Sequence, residues 1–141
     1  MAESALPTKL LLEVVTPDGL LLKEEVDEVI APGEKGYFGV RPGHTPFLST
    51  LGVGEISYRI ADKTQRLTCF WGFAEVLPDK VSILAELGER AEAIDVERAT
   101  RAREQAERRL KSLKDEAGYN QAHEDYVRAI TRLAVAKHKR P

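Results

Sequence analysis

The segment Gly33-Glu34-Lys35-Gly36-Tyr37-Phe38-Gly39-Val40-Arg41-Pro42-Gly43-His44 has the glycine density of a phosphate-binding loop. Such a loop needs a Gly-Lys-Ser/Thr ending and a helix behind it, so that free backbone N–H groups and the lysine converge on the phosphates. Here the ending is absent and the flanks read as strands, which makes the segment a tight, turn-rich connection. The three histidines, His44, His123 and His138, have no second His or Cys at metal-ligand spacing, so no metal site is expected. Cys69 lies inside a predicted strand, where it reads as a small buried apolar residue and not as a nucleophile. No Gly-x-Ser-x-Gly elbow occurs. The carboxylates sit on alternating strand faces or charged helix faces, where solvation accounts for them. No catalytic set is expected.

The elements that carry these residues fall into two parts. From Lys9 to about Glu86 the pattern has period two or short apolar runs, broken roughly every eight to twelve residues by turn residues. Leu10, Leu12 and Val14 alternate with Leu11, Glu13 and Val15 ahead of the turn Pro17-Asp18-Gly19. After Leu20–Lys23, the segment Val26-Asp27-Glu28-Val29-Ile30 reads as one short strand. A hairpin is predicted for Glu55–Ile60 and Gln65–Phe70 around Ala61-Asp62-Lys63-Thr64, with Ile56, Tyr58 and Ile60 on one face. A second hairpin joins Phe73–Leu77 to Val81–Ala85 through Pro78-Asp79-Lys80. Roughly eight to ten strands in about 85 residues must fold into two packed sheets.

Beyond Gly88 the period lengthens. Val96, Ala99, Ala102, Ala106, Leu110 and Leu113 recur at three- and four-residue steps, one helix face, with Asp95 as its N-cap. Gly118 reads as the stop and Asn120 as the cap of a second helix, whose stripe is Ala122, Tyr126, Ala129, Ile130, Leu133 and Ala136. The stripes predict an antiparallel hairpin. The domains expected are 1–90, a β-sandwich, and 91–141, a helical hairpin. At ~25 cal/mol per Å² of buried apolar area, a seam of alanines gains far less than one of leucines. Two helices of about 20 residues joined that way are marginal alone, and depend on docking elsewhere.

The 141 residues carry a net charge of −2, unevenly divided. Residues 1–90 hold 9 Lys/Arg against 14 Asp/Glu, and residues 91–141 hold 12 against 9. The positive tail suits an acidic partner. Nucleic acid is not that partner, because no aromatic platform is interleaved with the tail's basic residues. No apolar run approaches the roughly 20 residues that span a bilayer. Met1 to Pro7 has neither a basic nor an apolar signal region, and the single cysteine suits a reducing compartment.

In order and spacing these pieces resemble the bacterial epsilon subunit of F-type ATP synthase, from about Leu10 to Lys137. The resemblance rests on Val14-Val15-Thr16-Pro17-Asp18-Gly19, on Gly36-x-x-Gly39-x-x-Pro42-Gly43-His44-x-Pro46, on Gly72–Val76 with Val81–Ala85, and on Ile94-Asp95-Val96-Glu97-Arg98-Ala99. It implies a ten-stranded β-sandwich followed by a C-terminal antiparallel two-helix hairpin. It also implies a non-catalytic rotor subunit of the central stalk, held by the gamma subunit and resting on the c-ring. The coupling ion would by default be the proton. The complex would hold the chain peripherally at the cytoplasmic face of the bacterial inner membrane. The hairpin would fold against the sandwich or extend among the alpha and beta catalytic subunits, where it inhibits ATP hydrolysis.

Two sets of residues follow from the resemblance. Gly36, Tyr37, Gly39, Pro42, Gly43 and His44 match the loop that touches gamma and the c-ring. Tyr37 stands where some relatives carry an acid, and His44 reads equally as making a turn-stabilising hydrogen bond. Ile94, Asp95, Arg98 and Ala99, with Arg128 and Arg132, match the motif by which some bacterial members bind a regulatory ATP; no cofactor is required. Arg128 and Arg132 share a helix face, away from Tyr126, Ile130 and Leu133 on the wheel. A capping aspartate with solvated arginines is the alternative reading. A free-standing, ligand-binding β-sandwich with a dimerising helical tail is the competing function.

Overall fold

The computed structural model describes residues 6–112 and 115–138; Leu113, expected in the first helix stripe, lies outside them. The chain divides into two compact units, Met1–Glu89 and Arg90–Pro141.

The first unit is built from seven strands: β1 Leu10–Thr16, β2 Gly19–Val26, β3 Glu28–Gly33, β4 Gly36–Val40, β5 Phe47–Ile60, β6 Lys63–Leu77 and β7 Lys80–Leu87. Their order across the sheet is β2-β1-β7-β6-β5-β3-β4. Every pairing is antiparallel except β1 with β7. The sheet folds over on itself, since Val26 of β2 and Val40 of β4 belong to one buried cluster. Leu10, Leu12 and Val14 enter that core with Ile56, Leu67, Val81 and Ile83. This is the two-layer β class expected.

Seven strands replace the eight to ten expected because two of them are long. The second predicted hairpin joins the far half of β6 to β7, and the first is the turn end of the continuous strands β5 and β6, which pair from Phe47↔Val76 to Ile60↔Lys63. Period two does not run straight through them. In β6 the inward residues are Leu67 and Cys69, then Ala74 and Val76, a change of parity across Trp71. Trp71 sits at φ 61, a left-handed residue that inverts the alternation of side chains. Beside it, a Cβ on Gly72 would come within 2.3 Å of the Leu84 carbonyl oxygen.

The strand expected over Val26–Ile30 is two strands divided at Asp27. The Asp27 carboxylate accepts from Lys9 Nζ and, at 2.7 Å, from the Ala61 backbone N–H. Those donors tie Asp27 to other elements at the break between β2 and β3. The turn closing β5 to β6 is tighter than expected, with only Ala61 and Asp62 between the paired Ile60 and Lys63. Ala61 takes φ 56, and its carbonyl accepts from Arg59 Nη1 at 2.8 Å.

In the second unit a 3-10 turn, Ala91–Ala93, precedes α1, Val96–Ser112, and α2, Glu116–Ala136. Asp95 caps α1, its Oδ1 accepting from Arg98 N at 3.0 Å. Gly118 does not stop a helix and Asn120 does not start one. Asp115 is the N-cap of α2 and accepts from Gly118 N at 3.3 Å, so Gly118 lies in the first turn. An aspartate three residues ahead supplies the acceptor that first-turn amides lack. The buried seam is Ala99 and Ala106 on α1, with Ala122, Ala129 and Ala136 on α2. Val96 and Ile130, placed in the stripes by period alone, are 41% and 37% exposed. A small apolar cluster of Ala91, Ile94, Val135 and Ala136 closes the end of the hairpin.

Candidate functional site

On the sandwich, the glycine-rich segment forms β4 and the turns at its ends. Gly36 and Gly43 have φ +131 and +87, and Gly43 N donates to the Pro78 carbonyl at 2.7 Å. Pro42 follows the strand within the same turn. His44 Nδ1 lies 2.7 Å from the Thr45 carbonyl. A carbonyl only accepts, so Nδ1 carries the proton there and the ring braces the turn. Tyr37 is 60% exposed, yet its hydroxyl accepts from Glu55 N at 3.0 Å. Phe38 packs edge-to-face on Phe47, with centroids 5.2 Å apart. Between these groups and Leu48 runs an open groove of roughly 370 Å³, bordered by Gly33 to Gly36 and by Ser49 and Thr50. Gly39, also in this set, pairs with Ile30 of β3. The loop therefore presents apolar rings on a fixed frame.

A second surface was not predicted. Leu20, Val15, Leu84 and Phe73 are successive cross-strand neighbours on β2, β1, β7 and β6. Leu20, Leu84 and Phe73 are 60%, 58% and 39% exposed, an apolar row across four strands. Contiguous exposed apolar area of this kind marks protein contact surfaces. The strand pairing that aligns the row cannot be read from any one strand, which is why sequence reasoning missed it.

On the hairpin, Arg128 and Arg132 line a crevice of roughly 190 Å³ between the helices, with Ala102, Gln105, Ala106, Arg109 and Asp125. This face lies beside the alanine seam, against α1, with the Arg128 side chain 35% exposed. Arg128 Nη2 donates to Glu124 Oε1 at 2.9 Å, while its Nε is buried with no acceptor. Arg109 Nη1 donates to Asp125 Oδ2 at 3.0 Å across the two helices, and Gln121 Nε2 donates to Asp125 Oδ1 at 3.0 Å. The crevice thus gathers guanidinium donors suited to an anion.

The other residues of that set are not among those lining the crevice. Ile94 and Ala99 are buried, Asp95 serves as the cap, and Arg98 is exposed on the first turn of α1. Arg109 and Asp125 were missed; their signal was an acid opposite a base once the two alanine heptads are laid antiparallel. Cys69 is fully buried, and burial pushes its thiol up to about 12. Among the described residues no group of His, Cys, Asp or Glu is arranged to hold a metal ion. Among the described residues no helix is long and apolar enough to cross a membrane.

Comparison with known proteins places this geometry. Residues 9–91 match the family model for the ATP synthase delta/epsilon chain β-sandwich domain, and residues 92–137 match that for its long α-helix domain. The ATP synthase epsilon chain of Syntrophobacter fumaroxidans is 51% identical over 92% of this chain and 96% of its own length. That of Nitratidesulfovibrio vulgaris is 48% identical over 88% and 92%. Among solved structures, a chain of the Euglena gracilis mitochondrial ATP synthase (OSCP/F1/c-ring, rotational state 1) superposes with a TM-score of 0.82. It is 25% identical and covers 98% of this chain and 87% of its own. A chain of the Tetrahymena thermophila central stalk and c-ring shares the fold, at a TM-score of 0.60 and 14% identity, over 94% and 99%. With both domains matched in order along its length, the chain belongs to the ATP synthase delta/epsilon family, as a non-catalytic epsilon chain.

Proposed function

We propose that this epsilon chain is a central-stalk rotor subunit of a proton-translocating F-type ATP synthase, and that its hairpin restrains ATP hydrolysis. The sandwich domain, residues 1–90, holds it in the rotor. The row Leu20, Val15, Leu84 and Phe73 offers gamma an apolar face, and the loop from Gly36 to His44 offers the c-ring a braced turn. The complex keeps the chain at the cytoplasmic face of the bacterial cell membrane.

The observation that carries the regulatory part is the seam between α1 and α2. It is buried through alanines, so it contributes little per residue and is cheap to exchange for another docking partner. The extended hairpin engages the alpha and beta subunits and obstructs rotation. ATP bound by Arg128 and Arg132, with Ile94, Asp95, Arg98 and Ala99 ordering the start of α1, favours the folded form. A ligand shifts such a balance only through its differential affinity for the two forms.

The test uses membranes carrying the enzyme with the full chain or with a chain ending at Glu89. The truncated chain still co-purifies with gamma, and ATP hydrolysis rises. Unchanged hydrolysis and regulation would leave a passive connector only. Isolation as a homodimer free of ATPase subunits would favour the free-standing binding module instead. Calorimetry of ATP on the full chain, with Arg128→Ala and Arg132→Ala, tests the nucleotide site; no heat from the unmodified chain defeats it.

A further inference from the structure

We infer that Asp125 sets the affinity of the hairpin crevice for the phosphate chain of a nucleotide, by holding Arg109 until that chain displaces it. This rests on the nucleotide-binding reading above.

Of the residues lining the crevice, Asp125 is the carboxylate among Arg109, Arg128 and Arg132. Both of its oxygens are engaged, Oδ2 by Arg109 and Oδ1 by Gln121, each at 3.0 Å. It is therefore fixed in place, and it fixes Arg109 against α2. Arg128 Nε, buried without an acceptor, is a donor left unsatisfied, which an anionic oxygen would relieve. At roughly 190 Å³ the crevice is smaller than the ~300 Å³ at which pockets for drug-sized ligands begin. It fits a phosphate chain and leaves a base outside.

An entering triphosphate meets the like charge of Asp125 in the crevice lining, with the Arg109 guanidinium already held by it, while Arg128 is shared with Glu124. Replacing the carboxylate by its amide removes the like charge, keeps the shape and an acceptor for Gln121, and releases Arg109 for a charge-assisted bond to phosphate. A merely structural tie between the helices acts in the opposite sense. Breaking it would loosen the folded hairpin and weaken binding.

Calorimetry on the full-length chain separates these. Asp125→Asn is expected to bind ATP about tenfold more tightly than the unmodified chain. Inorganic tripolyphosphate should gain by a similar factor, and Asp125→Asn with Arg109→Ala should lose the gain. Asp125→Glu should bind like the unmodified chain, which guards against a general effect of substitution; helix content by circular dichroism confirms that each variant is folded. Unchanged or weaker ATP binding by Asp125→Asn overturns the inference while the nucleotide reading stands on the Arg128→Ala control. Tightening for ATP but not tripolyphosphate also overturns it, because the base would then carry the effect. No binding by the unmodified chain ends both readings.

Discussion

The Tyr37 hydroxyl rests against the backbone of Gly54, so that a Cβ on Gly54 would lie 2.4 Å from it and 2.8 Å from Pro32 Cβ. The same hydroxyl accepts from the next residue's N–H, which ties edge strand β4 to the middle of long strand β5. Gly54→Ala is therefore expected to destabilise the sandwich by ~1–3 kcal/mol, the usual range for overpacking. Combining it with Tyr37→Phe recovers only part of the loss, because Pro32 still obstructs. A double-mutant cycle from urea unfolding checks both statements.

Asp95 and Asp115 start the two helices, each accepting from the N–H three residues on. Asp115→Ala should cost ~1 kcal/mol, and Asp95→Ala a similar amount, whereas the Asn replacements retain most of the capping bond. Thermal unfolding followed at the helical band reads the difference. Equal effects of Ala and Asn would contradict a capping role.

Asp27 is held below its ordinary value of 3.8, chiefly by its hydrogen bond with Lys9 and then by the Ala61 N–H. Glu13 is likewise lowered from 4.5, first by Lys80. In both cases the folded state binds its proton less readily than the unfolded chain. Their stabilisation is thus present above the ordinary values and lost as pH falls through the lowered ones. Asp27→Asn should flatten the acid limb of the stability profile and leave its alkaline limb unchanged. Urea midpoints measured from neutral pH down past 3.8 test this.

Cys69 is closed to solvent and its thiol is pushed up to about 12. Alkylation of the folded chain by iodoacetamide at neutral pH should be far slower than that of the urea-unfolded chain, since the thiolate is the nucleophile. Comparable rates would mean that this part of β6 opens readily.

Much of the architecture was legible where one face of an element is uniformly buried. Leu10, Leu12 and Val14 alternate cleanly, and the core lies where they point. The continuity of β5 and β6 was not legible, because the reversal at Trp71 depends on a dihedral angle that tryptophan does not advertise. Gly118 misled because glycine commonly ends helices, yet here the acceptor on Asp115 outweighs its flexibility. At the crevice, Arg128 and Arg132 were pointed to by the resemblance to the family's nucleotide motif, and their four-residue spacing put them on one helix face. Asp125 became visible only once the two helices were set side by side.

Alanine has no χ rotors to immobilise, so bringing Ala99, Ala106, Ala122 and Ala129 together freezes almost no side-chain motion. Parting them frees almost none either. Such a joint has no interlocked knobs to withdraw, and its opening is largely the wetting of a narrow smooth strip plus the release of a few charged latches. A hinge made this way is fast by construction, and its timing belongs to the latches.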